Sequence, residues 1–102
     1  MALRYAFTMR LKPGNEAEYK RRHDEVWPEL LELMARDGVR NYSIYRDGLT
    51  LFAYLERDAP APPGLPTEAV VWRWWEYMAP LMETNDDFSP IQHPIEEVFH
   101  AD

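Results

Sequence analysis

His23 is the residue of this sequence whose type and surroundings best suit proton transfer. Tyr19 lies four positions before it and Trp27 four positions after it, so a helix would place the three side chains almost in line. The ordinary pKa of histidine keeps both of its protonation states accessible near neutral pH. Beside a phenol and aromatic rings, His23 could exchange a proton with a hydroxyl or ring oxygen of a bound molecule. The alternative is a helix-surface histidine that only packs against a neighbouring tryptophan.

Three tryptophans, Trp72, Trp74 and Trp75, are the second feature that could bind a ligand. Their spacing predicts that Trp72 and Trp75 share the core-facing stripe of a helix. Trp74 then points elsewhere, because consecutive helix positions are about 100° apart. An indole off the core face either packs against a neighbour or stacks on a ligand, and its flat ring and N–H suit a carbohydrate. Core or dimer contacts are the alternative for these rings.

The composition excludes several classes of function. A chain of 102 residues is expected to form a single domain, 1–102. With 11 Lys and Arg against 18 Asp and Glu, its net charge of −7 disfavours binding to nucleic acid or to an anionic membrane surface. The absence of cysteine excludes disulfides, a thiolate nucleophile and cysteine–metal sites. His93 and His100 lack the spacing of metal ligands, and Asn85-Asp86-Asp87 lacks that of a calcium loop, so we expect a turn there and no metal.

The expected location is the cytoplasm. No apolar run approaches the roughly 20 residues of a transmembrane helix. Residues 1–14 alternate between apolar and polar and do not resemble a signal peptide.

The first half of the chain predicts a strand followed by a long helix. Residues 3–11 alternate strictly between apolar and polar side chains, which is typical of a strand. Residues 16–36 carry a helical apolar stripe, with Asn15 as the expected N-cap. Pro28 lies inside this helix and must either kink it or split it in two, because proline lacks an N–H and crowds the preceding turn.

The second half predicts a hairpin, a helix and a last strand. Residues 39–46 and 49–56 are apolar runs joined by Asp47-Gly48, a strong hairpin signal. The stretch from 57 to 66 is rich in proline and predicts a loop. A helix is expected over 68–82, capped by Thr67, and a short strand over 95–100 after a loop.

The resulting order, β-α-β-β-α-β, predicts an α+β sandwich of the ferredoxin-like type. In this arrangement the helices cover only one face of the sheet. Phe52, Tyr54 and Tyr45 fall on the opposite face, where a monomer would expose them as an apolar patch. We therefore expect a ligand or a second copy to cover that face, and favour a homodimer that packs sheet on sheet around a cavity as a dimeric α/β barrel.

Eight short motifs spread over nearly the whole chain match one known family in combination. They are Tyr5-Ala6-Phe7-Thr8-Met9, Glu18-Tyr19-Lys20-Arg21-Arg22-His23, Val26-Trp27-Pro28-Glu29-Leu30, Asn41-Tyr42-Ser43-Ile44-Tyr45, Leu51-Phe52-Ala53, Arg73-Trp74-Trp75-Glu76-Tyr77-Met78, Ser89-Pro90 and Glu97-Val98-Phe99. The sequence resembles the L-rhamnose mutarotase family, and the stretch from tyrosine to histidine, the Trp-Pro pair and the Arg-Trp-Trp block are its most specific parts.

This resemblance implies an enzyme that interconverts the α and β anomers of L-rhamnose, as a ferredoxin-like homodimer without a cofactor. It implies His23 as the proton donor and Tyr19, Tyr42, Trp74 and Trp75 as residues that contact the sugar. The reaction opens the pyranose ring, rotates the C1–C2 bond and closes the ring again on the other face of the carbonyl. The ring oxygen must gain a proton and the C1 hydroxyl must lose one. Water, a tyrosine or His23 itself could be the base.

One segment of the chain departs from the family pattern. The family usually has an acidic, tryptophan-containing helical segment where this chain has the proline-rich 58–66. Fucose or another deoxy-aldose is therefore an alternative substrate to rhamnose.

Two other functions also fit this fold. A cofactor-free monooxygenase or isomerase of the dimeric α/β barrel type is one alternative function. A sugar-sensing dimer module without turnover is the other.

Overall fold

A four-stranded antiparallel sheet with helices packed on one face makes up the computed structural model, which describes residues 2–102. The elements, in chain order, are β1 (Leu3–Arg10), α1 (Glu16–Asp24), α2 (Pro28–Arg36), β2 (Val39–Asp47), β3 (Thr50–Arg57), α3 (Ala69–Met78), a 3₁₀ turn (Ala79–Leu81) and β4 (His93–Ile95). The strands lie in the order β2-β3-β1-β4. This is the predicted ferredoxin-like arrangement, with the predicted long helix divided in two.

The core lies between the helices and one face of the sheet. Register places Met9 opposite Leu51 and Phe7 opposite Ala53, so alternate residues of β1 and β3 face the helices together. The buried cluster consists of Met9, Leu11, Tyr19, Leu30, Leu33, Leu51, Ala53, Val70, Trp74, Met78, Leu81 and Met82. Burial of one such large apolar side chain contributes about 1.5–3 kcal/mol. We call this side of the sheet the helix face and the other side the open face.

Proline divides the predicted helix over 16–36. Helix α1 ends at Asp24, and Pro28 occupies the first turn of α2, where its missing N–H costs no helical hydrogen bond. Trp27 therefore does not continue the line of Tyr19 and His23. Its ring packs against Trp74 at 5.1 Å instead.

Asn15 stands at the N-cap position of α1, as predicted, but its side chain does not cap the helix. Its amide instead donates to the carbonyl oxygen of Lys12 at 3.2 Å.

The hairpin forms one residue later than predicted. Asp47 pairs with Thr50, so the turn residues are Gly48 and Leu49 rather than Asp47 and Gly48. Gly48 has φ +60°, a conformation that glycine adopts without a steric penalty, which explains its place at the start of the turn.

The predicted second helix was wrong in its ends and in its buried face. Helix α3 begins after Glu68 rather than Thr67, and the chain continues past Met78 as a 3₁₀ turn that contains Pro80. Trp74, with only 8% of its surface exposed, lies on the buried face. Trp72 lies on the flank, where its Nε1–H donates to the carbonyl oxygen of Pro66 at 2.8 Å. The predicted stripe through Trp72 was therefore wrong.

The predicted last strand over 95–100 was also wrong, because β4 ends at Ile95. Beyond it the tail lies beside β1 through side chains, and the guanidinium of Arg4 donates to the Glu97 carboxylate at 2.6 Å. Glu96 and Glu97 are adjacent and the segment has no apolar alternation, so its sequence favours side-chain contacts over strand pairing. Val98 and Phe99 remain 88% and 80% exposed.

No helix within residues 2–102 combines the length and the apolar character needed to cross a bilayer.

Candidate active site

A cleft of about 600 Å³ opens between α1, α2, β2 and α3 on the helix face of the sheet. Its size is that of a typical small-molecule site. The structure brings all five residues named in the sequence analysis to its walls: Tyr19, His23, Tyr42, Trp74 and Trp75. These residues come from three separate stretches of the chain, so only the tertiary fold assembles them.

His23 stands in the last turn of α1 with one ring nitrogen already bonded. Its Nδ1 lies 3.1 Å from the carbonyl oxygen of Tyr19. A carbonyl oxygen can only accept, so Nδ1 carries the hydrogen and Nε2 is the lone-pair nitrogen of the neutral ring. Burial lowers the pKa of His23 below its usual 6.5, and the hydrogen bond to the Tyr19 carbonyl offsets only part of this shift. The imidazole is therefore neutral at pH 7, with a free acceptor nitrogen.

Two aromatic rings hold the imidazole in place. The Tyr19 ring lies 4.4 Å from it at a tilt of 38°, and the Trp74 ring meets it edge-on at 5.4 Å. His23 therefore fits both interpretations of the sequence, because it lines the cleft and also packs against a tryptophan. That tryptophan is Trp74 of α3 and not Trp27 of its own segment. Trp27 and Tyr77 also pack against Trp74, with ring centres at 5.1 and 5.8 Å.

Tyr19 and Tyr42 contribute two phenols that stay protonated. Burial raises the pKa of Tyr19 above its usual value, and burial raises that of Tyr42 to about 12. Tyr42 leaves 39% of its surface exposed, but the hydroxyl is its buried end, and this end determines the pKa. Neither phenolate is populated near neutral pH. The tyrosines can therefore donate hydrogen bonds to a ligand but do not serve as strong bases.

The rest of the cleft is aliphatic, with charged groups at its rim. The aliphatic wall consists of Val26, Leu30, Leu31, Met34, Ile44, Leu51 and Val71. At the rim Lys20 pairs with Asp24 at 2.9 Å, near Glu16 and Arg46. Sequence reasoning did not identify this wall, although the stripe of α2 that faces it was visible as a helical pattern of apolar residues.

Arg22 connects α1 to α3 behind the histidine. Its guanidinium lies 4.1 Å above the centre of the Tyr77 ring and donates to the Tyr77 carbonyl oxygen. Hydrogen bonds from Arg21 and Arg22 lower the pKa of Glu18 to about 2, so this carboxylate stays ionised. Arg22 pairs with Glu18 at 2.7 Å, and its side chain is largely buried.

Within residues 2–102, no group of three or more histidine and acidic residues is arranged to hold a metal ion. The 85–89 segment is a turn, as predicted. Asp87 Oδ1 accepts the backbone N–H of Ser89 at 3.0 Å, and the Asn85 amide donates to Ser89 Oγ at 3.0 Å.

Comparison with known proteins places the chain in a family. The family described as L-rhamnose mutarotase matches residues 4–101. An L-rhamnose mutarotase of Rhizobium johnstonii is 50% identical over 100 residues, which cover 95% of this chain and 94% of that protein. An L-rhamnose mutarotase of Bacteroides thetaiotaomicron is 48% identical over 102 residues, 97% of this chain and 98% of that protein.

The fold agrees with that of a solved relative. The crystal structure of an L-rhamnose mutarotase from Formosa agariphila superposes with a TM-score of 0.88 at 41% sequence identity. The superposition covers 98% of this chain and 99% of that one. Sequence and structure agree over nearly the whole length, and the chain belongs to the L-rhamnose mutarotase family.

Proposed function

We propose that this chain interconverts the α and β anomers of L-rhamnose in the cleft around His23. One observation carries the proposal: an imidazole, fixed through Nδ1, lines a cleft together with two phenols and two indoles. Membership of the L-rhamnose mutarotase family supports the same substrate. We further propose that residues 1–102 act as one domain, because the helices and the sheet share one buried cluster, and that the chain works in the cytoplasm.

The mechanism moves one proton between two oxygens of the sugar. Nε2 of neutral His23 accepts the proton of the C1 hydroxyl as the bond from C1 to the ring oxygen breaks, which leaves an aldehyde. The imidazolium then gives that proton to the former ring oxygen. After rotation about C1–C2 the hydroxyl attacks the other face of the aldehyde, and the two transfers run in reverse. Both oxygens are bonded to C1 in the closed ring, so one nitrogen above C1 can reach both.

His23 is therefore the base as well as the acid in this proposal. The raised pKa values of Tyr19 and Tyr42 argue against a phenolate base. The lowered pKa of His23 supports the cycle, because it makes the neutral ring the resting form and the imidazolium a ready proton donor.

We assign sugar contacts to the four aromatic residues around the histidine. The hydroxyls of Tyr19 and Tyr42 donate hydrogen bonds to sugar oxygens, which fixes the orientation of C1 toward His23. Trp74 and Trp75 lie against the C–H faces of the sugar ring. Trp74 also packs edge-on against His23 at 5.4 Å, so it supports the base while it borders the substrate.

We also propose that the chain works as a homodimer joined through the open face. On that face Tyr45 is 68% and Phe52 40% exposed, and Val98 and Phe99 in the tail beyond β4 are also exposed. A soluble monomer rarely leaves such a set of large apolar side chains uncovered. Analytical ultracentrifugation is expected to give twice the chain mass, and a monomer at micromolar concentration would contradict the dimer.

The test of function is anomer exchange measured by saturation-transfer NMR. The wild-type chain is expected to speed exchange between the two anomeric protons of L-rhamnose. L-Fucose and L-mannose, measured in parallel, show how far the proline-rich 58–66 changes the preference. Binding of L-rhamnose without faster exchange would refute the enzyme and leave the sugar-sensing module. Neither binding nor exchange with any of these sugars would refute both.

A further inference from the structure

Strand β2 contains an irregularity at the point where it delivers a residue to the cleft. Its pairing with β3 is regular at Arg40 and again from Ser43, but Asn41 and Tyr42 together oppose the single residue Leu55. This is a β-bulge, in which one strand carries an extra residue. In a regular strand, side chains alternate between the faces, so an extra residue reverses the alternation beyond it.

The reversal decides which face receives Tyr42. Val39 pairs with Arg57, whose position in β3 belongs to the helix face with those of Leu51 and Ala53. If the strand kept the register of Val39 and had no bulge, Asn41 would lie on the helix face and Tyr42 on the open face. With it, Tyr42 lines the cleft and Ile44 opposite Ala53 packs against the core.

Asn41 has two features that favour the bulge. Its φ is +49°, in the left-handed region that Asn tolerates better than most residues and that β-branched residues avoid. Its side-chain amide donates to Glu56 Oε1 at 2.9 Å, and the hydroxyl of Tyr54 donates to the other oxygen of the same carboxylate at 2.8 Å. The bulge is therefore held from the open face, on the side opposite to the cleft.

We propose that Asn41 is a positioning residue for sugar turnover, and that its left-handed backbone and its bond to Glu56 direct the hydroxyl of Tyr42 into the cleft. Asn41 touches no substrate in this scheme and acts only through Tyr42. The inference rests on the proposed function, because it assigns Tyr42 a bond to the sugar. It means that activity also depends on a contact on the open face, the bond between Asn41 and Glu56, which lies outside the cleft.

Two substitutions separate the backbone from the side chain of Asn41. Asn41→Gly keeps access to positive φ but loses the bond to Glu56, and is expected to lower kcat/KM by no more than about threefold. Asn41→Val disfavours positive φ as well and is expected to lower kcat/KM on the order of 10- to 100-fold, since a small misplacement of a substrate-orienting group has such effects. Ser43→Val is the matched control, because Ser43 lies on the open face in regular strand pairing with Tyr54. Its activity is expected to stay at the wild-type level.

A double-mutant cycle shows whether the effect passes through Tyr42. In a Tyr42→Phe background the hydroxyl is already gone, so Asn41→Val is expected to change kcat/KM by less than about twofold. A full additional loss in that background would overturn the proposal and leave Asn41 with a general structural role. If Asn41→Val does not fold, as judged by circular dichroism, Asn41→Ala takes its place in the same cycle.

Titration of the tyrosine provides a readout that does not depend on turnover. Burial raises the pKa of Tyr42 to about 12, so its phenolate absorbance should appear only at high pH in an alkaline titration. Comparison with Tyr42→Phe identifies which part of the titration belongs to Tyr42. Asn41→Val is expected to shift this titration toward the usual value of 10.0, whereas Ser43→Val leaves it in place. An unshifted titration with unchanged kcat/KM would refute the inference. A wild-type chain that does not speed anomer exchange would refute the proposed function instead, and the titration would still test the placement of Tyr42.

Discussion

The two faces of the sheet use the same residue types for different purposes. On the helix face, His23 is wedged between rings and bonded to a backbone carbonyl. On the open side, His100 is exposed, and its Nε2 lies 3.0 Å from the carboxylate of Asp102. Burial lowers the pKa of His23 and leaves an acceptor nitrogen inside a cleft. Position in the fold, more than residue type, therefore prepares a histidine for proton transfer.

Tyrosines show the same contrast. Burial in the cleft raises the pKa of Tyr42, whereas a hydrogen bond to the Glu56 carboxylate is the main cause of the raised pKa of Tyr54. One phenol is thus free to meet a ligand, and the other is engaged with a neighbouring carboxylate. The Tyr54 hydroxyl on the open face is hydrogen-bonded within the protein, whereas the Tyr42 hydroxyl on the helix face is available to a ligand.

Removal of the buried histidine should reduce activity more than any of the other substitutions. His23→Ala should lower the rate of anomer exchange on the order of 10²- to 10⁴-fold, because proton transfer then falls to water. The measurement is saturation-transfer NMR on L-rhamnose, with circular dichroism to verify the fold. His100→Ala is the matched control and should exchange at the wild-type rate. An unfolded His23→Ala chain would show that the histidine is structural.

Replacing an aromatic residue by alanine should lower the free energy of unfolding by different amounts on the two faces of the sheet. Trp74→Ala is expected to lower the free energy of unfolding by about 3–5 kcal/mol, because it removes a buried indole, and to weaken sugar binding as well. Phe52→Ala, on the open face, is expected to lower it less, and by an amount that shrinks as the protein is diluted if a second copy covers that face, because dilution separates the copies and removes the contact from the wild type as well. Urea denaturation at two protein concentrations measures both. Equal, concentration-independent losses would contradict the distinction.

The pH dependence of stability should be weaker than these mutational effects, and its sign follows from the lowered pKa of His23. Between the folded pKa and 6.5, the unfolded chain binds more protons than the folded one, so the free energy of unfolding rises with pH. This contribution is complete above pH 6.5 and is lost as the pH falls through the folded pKa. The activity kcat/KM should fall in the same direction, because only the neutral ring accepts the C1 hydroxyl proton.

Two measurements check this dependence. A pH profile of anomer exchange, corrected for the uncatalysed reaction, should lose its acidic limb only when His23 is changed. Unfolding of His23→Gln should depend less on pH than unfolding of the wild type between pH 5 and 7. Catalysis that improves as the pH falls through this range would contradict the role of the neutral ring.

The sequence predicted the strands and their order because local patterns are strong there. The alternation over 3–11 and the two runs of the hairpin each appear in the structure within a few residues of their predicted ends. The last strand was the exception, since 95–100 has no clean alternation and most of it lies outside any strand. The site residue Tyr42 came from family resemblance alone, since its pattern could not reveal a bulge.

The tryptophan block shows where periodicity failed. Trp72, Trp74 and Trp75 are all large and apolar, so their spacing alone could not say which ring is buried. Val70 and Met78 lie four positions on either side of Trp74 and are buried with it, so the i, i+4, i+8 series was the informative signal. Pro28 posed a similar ambiguity, because a kink and a break were both compatible with it until the fold separated α1 from α2.

Local sequence patterns were enough to predict most of the elements, their order and the pairing of Tyr19 with His23, because these follow from contacts within a turn or two of the same chain segment. Tertiary structure decided that Trp74 rather than Trp27 meets the imidazole, that the histidine is buried enough to stay neutral, and that a bulge turns Tyr42 inward. Each of these depends on residues that are far apart along the chain, and no local pattern records such contacts.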